Sequence, residues 1–320
     1  MSGLIAATAP VGERVRVYYA PVRRDNGTPA AFDPAVQGRF ALSAPPVGWT
    51  DLGYVSGLKR KSVTKVMALE SGAPMAVRAQ TRTGMGAEVS FTFNAWGKLQ
   101  MGLSAGSQQM NLLAASAAGG FSGGSAVAAQ AVLSRSTATS LVVADASGFT
   151  VGDVVAVDVD HAGETGFVGA GASAAYVKAG STTVLDADYV RRVTFNVGRV
   201  IAIAGSVMTL GLPLLAGVPS VGMKVAKVLG FVDREGGSFF HEWSALFVAD
   251  GIQGDRVIYH YPRLQSAAGA AEEESLLVAK LPLQKWSLTG AFRALPVVDA
   301  NDGEQALCYR SYLPAAMRMV

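Results

Sequence analysis

The stretch GAEVSFTFNAWGKLQMGLSAG, Gly86 to Gly106, decides the fold class. Val89, Phe91, Phe93 and Ala95 fall on one face of an extended chain, and Glu88, Ser90, Thr92 and Asn94 fall on the other. That is the period of a strand with one face in a core. Asn94 then offers a cap to a helix in which Trp96, Leu99 and Leu103 recur at helical spacing. Gly97, Gly102 and Gly106 weaken this helix by about 1 kcal/mol each relative to Ala, so it must draw stability from packing on a sheet. The segment predicts the strand-helix corner of a β-rich fold, with Val89, Phe91, Phe93, Trp96, Leu99 and Leu103 in its core.

Composition agrees with that class. Of 320 residues half are apolar, enough for a sizeable core in one large domain or two ordinary ones. The 37 glycines and only 16% charged residues describe many tight turns and little helix. A net charge of +3 is too small to imply nucleic-acid binding by itself. Its distribution is more informative: residues 56–84 hold Lys59, Arg60, Lys61, Lys65, Arg78 and Arg82 against Glu70 alone, whereas residues 231–320 hold eleven acids and eight bases. Such asymmetry suits contact between copies. The single cysteine, Cys308, excludes an internal disulfide and, with three scattered histidines, argues against a Cys/His zinc site. The N-terminal MSGLIAATAPVGERVRV lacks the basic start and apolar core of a signal peptide, and no apolar run reaches the length of a membrane span. The expectation is a soluble protein made in a cytoplasm.

Working outward, Arg14 to Val22 alternates as a first strand and Trp49 to Leu58 reads as a second, with a turn at Gly53 or Gly57. The connection from Arg23 to Gly48 is rich in Gly, Pro and Asn and long for a compact domain, which predicts a surface excursion or an arm that orders on a neighbouring subunit. Lys59 to Gly84 reads as a hairpin or a long basic loop around an SGAP turn. After the helix, AASAAGGFSGGSAVAAQ behaves as a linker. Beyond it SLVVADASGFTVGDVVAVDVD, FNVGRVIAIAGSVMTLGLPLL and SVGMKVAKVLGF are short apolar runs between Gly, Asp and Ser, the strands of a small barrel or sandwich. From Ser238 the aromatic strand pattern returns. Residues 121–230, neutral with seven bases and seven acids, therefore read as a β-rich domain inserted into a host built from residues 1–120 and 231–320.

Candidate chemistry is sparse. His161, His241 and His260 lie far apart, without HxH or HExxH spacing, and are expected to be structural. Asp145, Asp153, Asp158 and Asp160 raise the possibility of a calcium loop. The glycine turn and terminal bidentate Glu of such a loop are missing, so a solvated strand face is favoured. GxSxG is absent, SGGS at Ser122 to Ser125 lacks a strand-turn-helix setting, and no Gly-rich segment ends in GK[ST]. No catalysis, metal or cofactor is expected. KRKSVTK, Lys59 to Lys65, suits a solvated loop, a salt-bridged partner contact or, third, phosphates. Glu272 to Glu274 reads as a solvated loop that would complement it if copies stacked.

The early WTDLG strand, the LKR…SGAP…R segment, EVSFTFNAW running into a helix, and RVIYHYPRL followed by LPLQKWSLTGAF occur in an order that resembles the tail tube (major tail) proteins of long-tailed bacteriophages. The resemblance covers about the first 115 residues and residues 231–320; the insertion is similar to small β-domains found inserted in tail proteins. It implies a mainly β fold, a β-sandwich or half-barrel with one flanking helix. Copies would join into hexameric rings, and these would stack into a hollow virion tube that conducts genomic DNA without sequence-specific contact. Lys59, Arg60, Lys61, Lys65, Arg78 and Arg82 would then serve inter-ring stacking. The inserted domain would decorate the exterior, and partners would be further copies plus tape-measure, terminator and baseplate proteins, with no membrane anchor. A tail-end or baseplate ring protein of the same fold is the near alternative. An extracellular glycan-binding module is the distant one, for which residues 121–230 offer Phe121, Phe149, Phe167, Tyr176, Tyr189 and Phe195.

Overall fold

Strands from the two ends of the chain build one antiparallel sheet. The computed structural model describes residues 12–22, 29–106, 111–113, 127–158, 196–228, 230–232, 241–252, 254–278 and 281–315. In order these form β1 (Gly12–Pro21), a one-turn helix α1 (Pro34–Gln37), β2 (Thr50–Ser71), β3 (Ala76–Phe93), the helix α2 (Lys98–Ala105) and β4 (Asn111–Leu113). Shorter strands follow: β5 (Gln130–Ala131), β6 (Ser140–Val142), β7 (Val154–Asp158), β8 (Val197–Ala204), β9 (Val207–Leu210) and β10 (Lys224–Val228). The chain continues through β11 (Gly230–Val232), β12 (Glu242–Gly251), β13 (Arg256–Val278), β14 (Leu281–Ala294), β15 (Val297–Val298), β16 (Gln305–Ala306) and β17 (Tyr309–Leu313). The fold is mainly β, with a curled, half-barrel sheet as its centre.

That sheet runs β12-β1-β2-β3-β14-β13-β17, and β12 pairs again with β13, so the pairing returns on itself through six strands. A ring of so few strands is too narrow for a pore, and side chains fill it. Val17, Tyr19, Val55, Val89, Phe91, Phe93, Trp243, Phe247, Tyr261 and Phe292 are all buried there. Phe91 is the hub: its ring lies 4.8 Å from Phe93, 5.3 Å from Phe247 and 5.3 Å from Phe292, and edge-to-face and offset pairs of this kind add to plain burial.

The outward faces divide into two. On β1, β12 and the first half of β13, Tyr18, Ala20, Leu246, Val248 and Ile258 are also buried, because residues 29–48 lay Phe32, Phe40 and Leu42 over them. On β3 and β14 the outward residues are polar: Thr92 and Thr289 share a 2.8 Å hydrogen bond, and Glu88 pairs with Arg293 at 3.1 Å. The described part of the Arg23–Gly48 connection is thus neither a loose excursion nor a free arm. Its aromatic residues give it a place on its own sheet, fastened by Arg256, whose guanidinium donates to the Gly38 carbonyl at 3.0 Å and the Phe40 carbonyl at 2.7 Å.

The strand predicted from Glu88 buries Val89, Phe91 and Phe93 as expected, but it ends at Phe93 and leaves Ala95 exposed. The helix starts later than Asn94 would place it. Gly97 is its N-cap, with its N–H donating to the Gln100 side chain at 3.1 Å, while Asn94 Oδ1 accepts from Ser56 Oγ at 3.0 Å. Trp96 therefore precedes the helix and packs with Leu99 against the core that Leu103 enters. Nor does the chain turn at Gly53 or Gly57. Both lie inside β2 with left-handed φ angles of 86° and 63°, beside the register shifts against β1 and β3, so they bend one continuous strand.

A second sheet, β5-β10-β7-β8-β9-β6, belongs wholly to residues 130–228, and a bridge between Val132 and Val143 brings its two ends together. Its own core holds Leu141, Phe149, Val155, Val157, Val200, Met208 and Val225. Where the chain leaves for this region and where it returns, β4 and β11 pair antiparallel, with Leu113 opposite Gly230. The predicted boundary near residue 120, Ser122 to Ser125 and the linker up to residue 126 lie outside the described residues, but the end of the predicted linker does not behave as one: Val127 packs against the second core and Gln130 begins β5.

Candidate assembly surface

Two long β-ribbons carry the charges singled out in the sequence. β2 is 22 residues long and β3 is 18, but β1 pairs only as far as Val55 and β14 only with residues 88–93 of β3. Among the described residues, no third strand pairs with the ribbon between Lys59 and Ala87. Lys59 to Gly84 is thus an extended hairpin, reaching about 40 Å at 3.3 Å per residue. Glu272 to Glu274, expected in a loop, lie in β13 opposite Leu288, Ser287 and Trp286 of β14. The sequence left the first segment open between hairpin and loop and placed the second in a loop, for one reason. Residues 61–83 of the first ribbon and residues 271–274, 285 and 286 of the second are exposed on both faces, so no alternation of apolar and polar residues marks them.

The predicted cations do not behave as one group. Lys59, Lys61, Lys65, Arg78 and Arg82 are exposed along the ribbon. Arg60 is half-buried at its root: Nε donates to the Tyr261 hydroxyl at 3.1 Å, and the guanidinium lies 4.9 Å from the centre of the Tyr259 ring. It is a structural residue of the barrel end, and burial pushes its partner Tyr261 up to about 12. Interleaved with the free-standing cations are large apolar side chains that charge counting passes over. Val66 is 57% exposed, Met67 51%, Leu69 50% and Val77 54%. On the other ribbon Trp286 is 53% exposed, with its carbonyl accepting from Trp96 Nε1 at 3.1 Å.

The histidines and aspartates take structural places. His241 is buried and stacks on Tyr19 with ring centres 6.3 Å apart; His260 is buried on the opposite side of the sheet. Asp145 Oδ1 accepts from the Ser147 N–H at 2.8 Å, which holds its carboxyl below the usual range. Burial pushes the Asp153 carboxyl up, but Lys227 at 2.9 Å and the Thr150 amide outweigh it and hold it low. Asp158 is buried at the end of β7 and not on a solvated strand face. Asp160 and His161 lie outside the described residues, as do five of the six aromatics proposed for a glycan site; Phe149, the sixth, is buried. Among the described residues no three His, Cys, Asp or Glu side chains group as metal ligands. A groove of about 880 Å³ opens at one end of the barrel between Arg14, Ser56, Asn94, Tyr259 and Lys285. No described helix is long and apolar enough to cross a membrane. No protein-family model matches the chain, and no curated protein matches it.

Proposed function

We propose that this chain is a structural virion subunit, a tail tube protein of a long-tailed bacteriophage, whose copies form rings that stack into a hollow conduit for DNA. The observation that carries the reading is the pair of exposed ribbons. A two-stranded ribbon is marginal in water alone, its open edges invite further strands, and its exposed apolar side chains are stabilised when covered. A monomer gains nothing from two such projections; an assembling subunit gains its interfaces. The hydrogen-bonded polar face of β3 and β14 would supply a hydrophilic wall for the conduit. Because each barrel is filled with side chains, the lumen has to form between copies. Ring symmetry near six, capping by terminator or baseplate proteins, and length set by a tape measure belong to the same proposal.

Negative-stain electron microscopy of the purified protein across concentration and salt tests it. Hollow tubes of constant diameter are expected. Single rings that never stack would move the assignment to a tail-end protein, and well-folded monomers at every concentration would overturn it.

A further inference from the structure

We propose that the cationic β2–β3 ribbon of one copy docks on the acidic β13–β14 ribbon of a second copy, so that copies associate head to tail. The inference takes from the reading above only that the partner is another copy of this chain.

The β3–β14 ladder gives the direction of each ribbon. Glu88 sits opposite Arg293 at one end of the ladder, and Phe93 sits opposite Leu288 at the other. Residues 76–87 of β3 therefore continue past the Glu88 end, while residues 281–287 of β14 continue past the Phe93 end. The two ribbons leave the barrel in opposite directions. One carries Lys59, Lys61, Lys65, Arg78 and Arg82 against Glu70, and the other carries Glu272, Glu273 and Glu274 against Lys285, with Lys280 between its two strands in the sequence. The molecule is polar along its strand axis.

That polarity selects the mode of association. A two-fold contact would set each ribbon against its equal, cation on cation or acid on acid, and like charges in contact oppose binding. A head-to-tail contact sets unlike charges together and leaves a free ribbon at each end, so the association can repeat. Apolar groups add what exposed ion pairs do not, since such pairs contribute little alone. Trp286 stands directly opposite Glu274 in the ladder, which places an exposed aromatic anchor and a carboxylate on one face. Met67 and Leu69 share a face of the cationic ribbon with Lys65, the pattern that would receive them. Aromatic side chains of this kind commonly dominate interface energetics.

Two charge-reversed proteins test the proposal by sedimentation velocity. The first carries Lys61→Glu, Lys65→Glu and Arg82→Glu; the second carries Glu272→Lys, Glu273→Lys and Glu274→Lys. All six residues are exposed, so circular dichroism should match the wild type. Each variant alone should associate roughly tenfold or more weakly than wild type at low salt, whereas an equimolar mixture should associate, because each now complements only the other. Trp286→Ala should weaken wild-type association by roughly tenfold without changing the fold. Either reversed variant associating as wild type would overturn the proposal, as would a mixture of folded variants that stays apart. Loss of duplex DNA binding in the first variant with self-association intact would reassign the cationic ribbon to nucleic acid. The two proposals fail separately: tubes that survive both reversals keep the tube and remove this contact, and head-to-tail chains that never become tubes do the opposite.

Discussion

At the scale of single residues, His260 shows how burial writes a pH dependence into the fold. Its ring is enclosed by Phe32, Trp49 and Tyr309, with centres 5.9, 5.7 and 5.8 Å away, and Ser244 Oγ is 3.4 Å from Nε2. Removal from water lowers its pKa from 6.5 to about 4, so the folded protein keeps the imidazole neutral where the unfolded chain would protonate it. Stability from this group is fully present above pH 6.5 and is lost as pH falls from there toward 4. At pH 4.5 the loss amounts to about 2–3 kcal/mol. Chemical denaturation at pH 7 and pH 4.5 should show that loss in the wild type and a clearly smaller one in His260→Phe, whose ring suits the same aromatic surroundings. Equal losses in the two proteins would remove His260 from the acid response.

At the scale of elements, the segment of residues 29–48 depends on a few contacts made from elsewhere in the chain. Phe32, Phe40 and Leu42 cover the outer faces of β1, β12 and β13, and Arg256 ties the segment down through two backbone carbonyls while also pairing with Asp250. Replacing Arg256 with Met leaves those carbonyls and Asp250 without their charged partner. The expected cost is about 1–3 kcal/mol, that of leaving two carbonyls without a charged donor, because Asp250 is 43% exposed and can turn to water. Limited proteolysis should then cut within residues 29–48 well before the wild type is cut, and a cleavage pattern unchanged from wild type would show that the aromatic contacts hold the segment alone. This element was only half legible in the sequence. Its glycines and prolines announced an irregular path, but the outer-face cluster that receives it exists only once β1, β12 and β13 lie side by side.

At the scale of the whole molecule, the pairing of β4 with β11 brings the chain's departure and return together, so residues 114–229 can be replaced without stretching the host sheet. Because Leu113 stands directly opposite Gly230, a two-residue turn rich in Asn and Gly is the natural closure. The shortened protein should unfold cooperatively and assemble as the full chain does, since the long ribbons and their charges lie outside the deleted region. Aggregation on expression would instead mean that the second sheet supports the first. Sequence by itself determined the β class and the buried face of the strand at Phe91, through period-two alternation. It also determined the return of an aromatic strand pattern after Ser238 and the sorting of charge between residues 56–84 and 231–320. Those properties are local, and each shows in the order of residue types. Only the tertiary structure decided that both charged segments are strands, that they leave the barrel at opposite ends, that Arg60 belongs to the barrel and not to the exposed ribbon, and that Asp158 is buried. These depend on which strands lie next to one another, and antiparallel neighbours far apart in the chain leave no periodic trace in residues whose two faces both meet solvent.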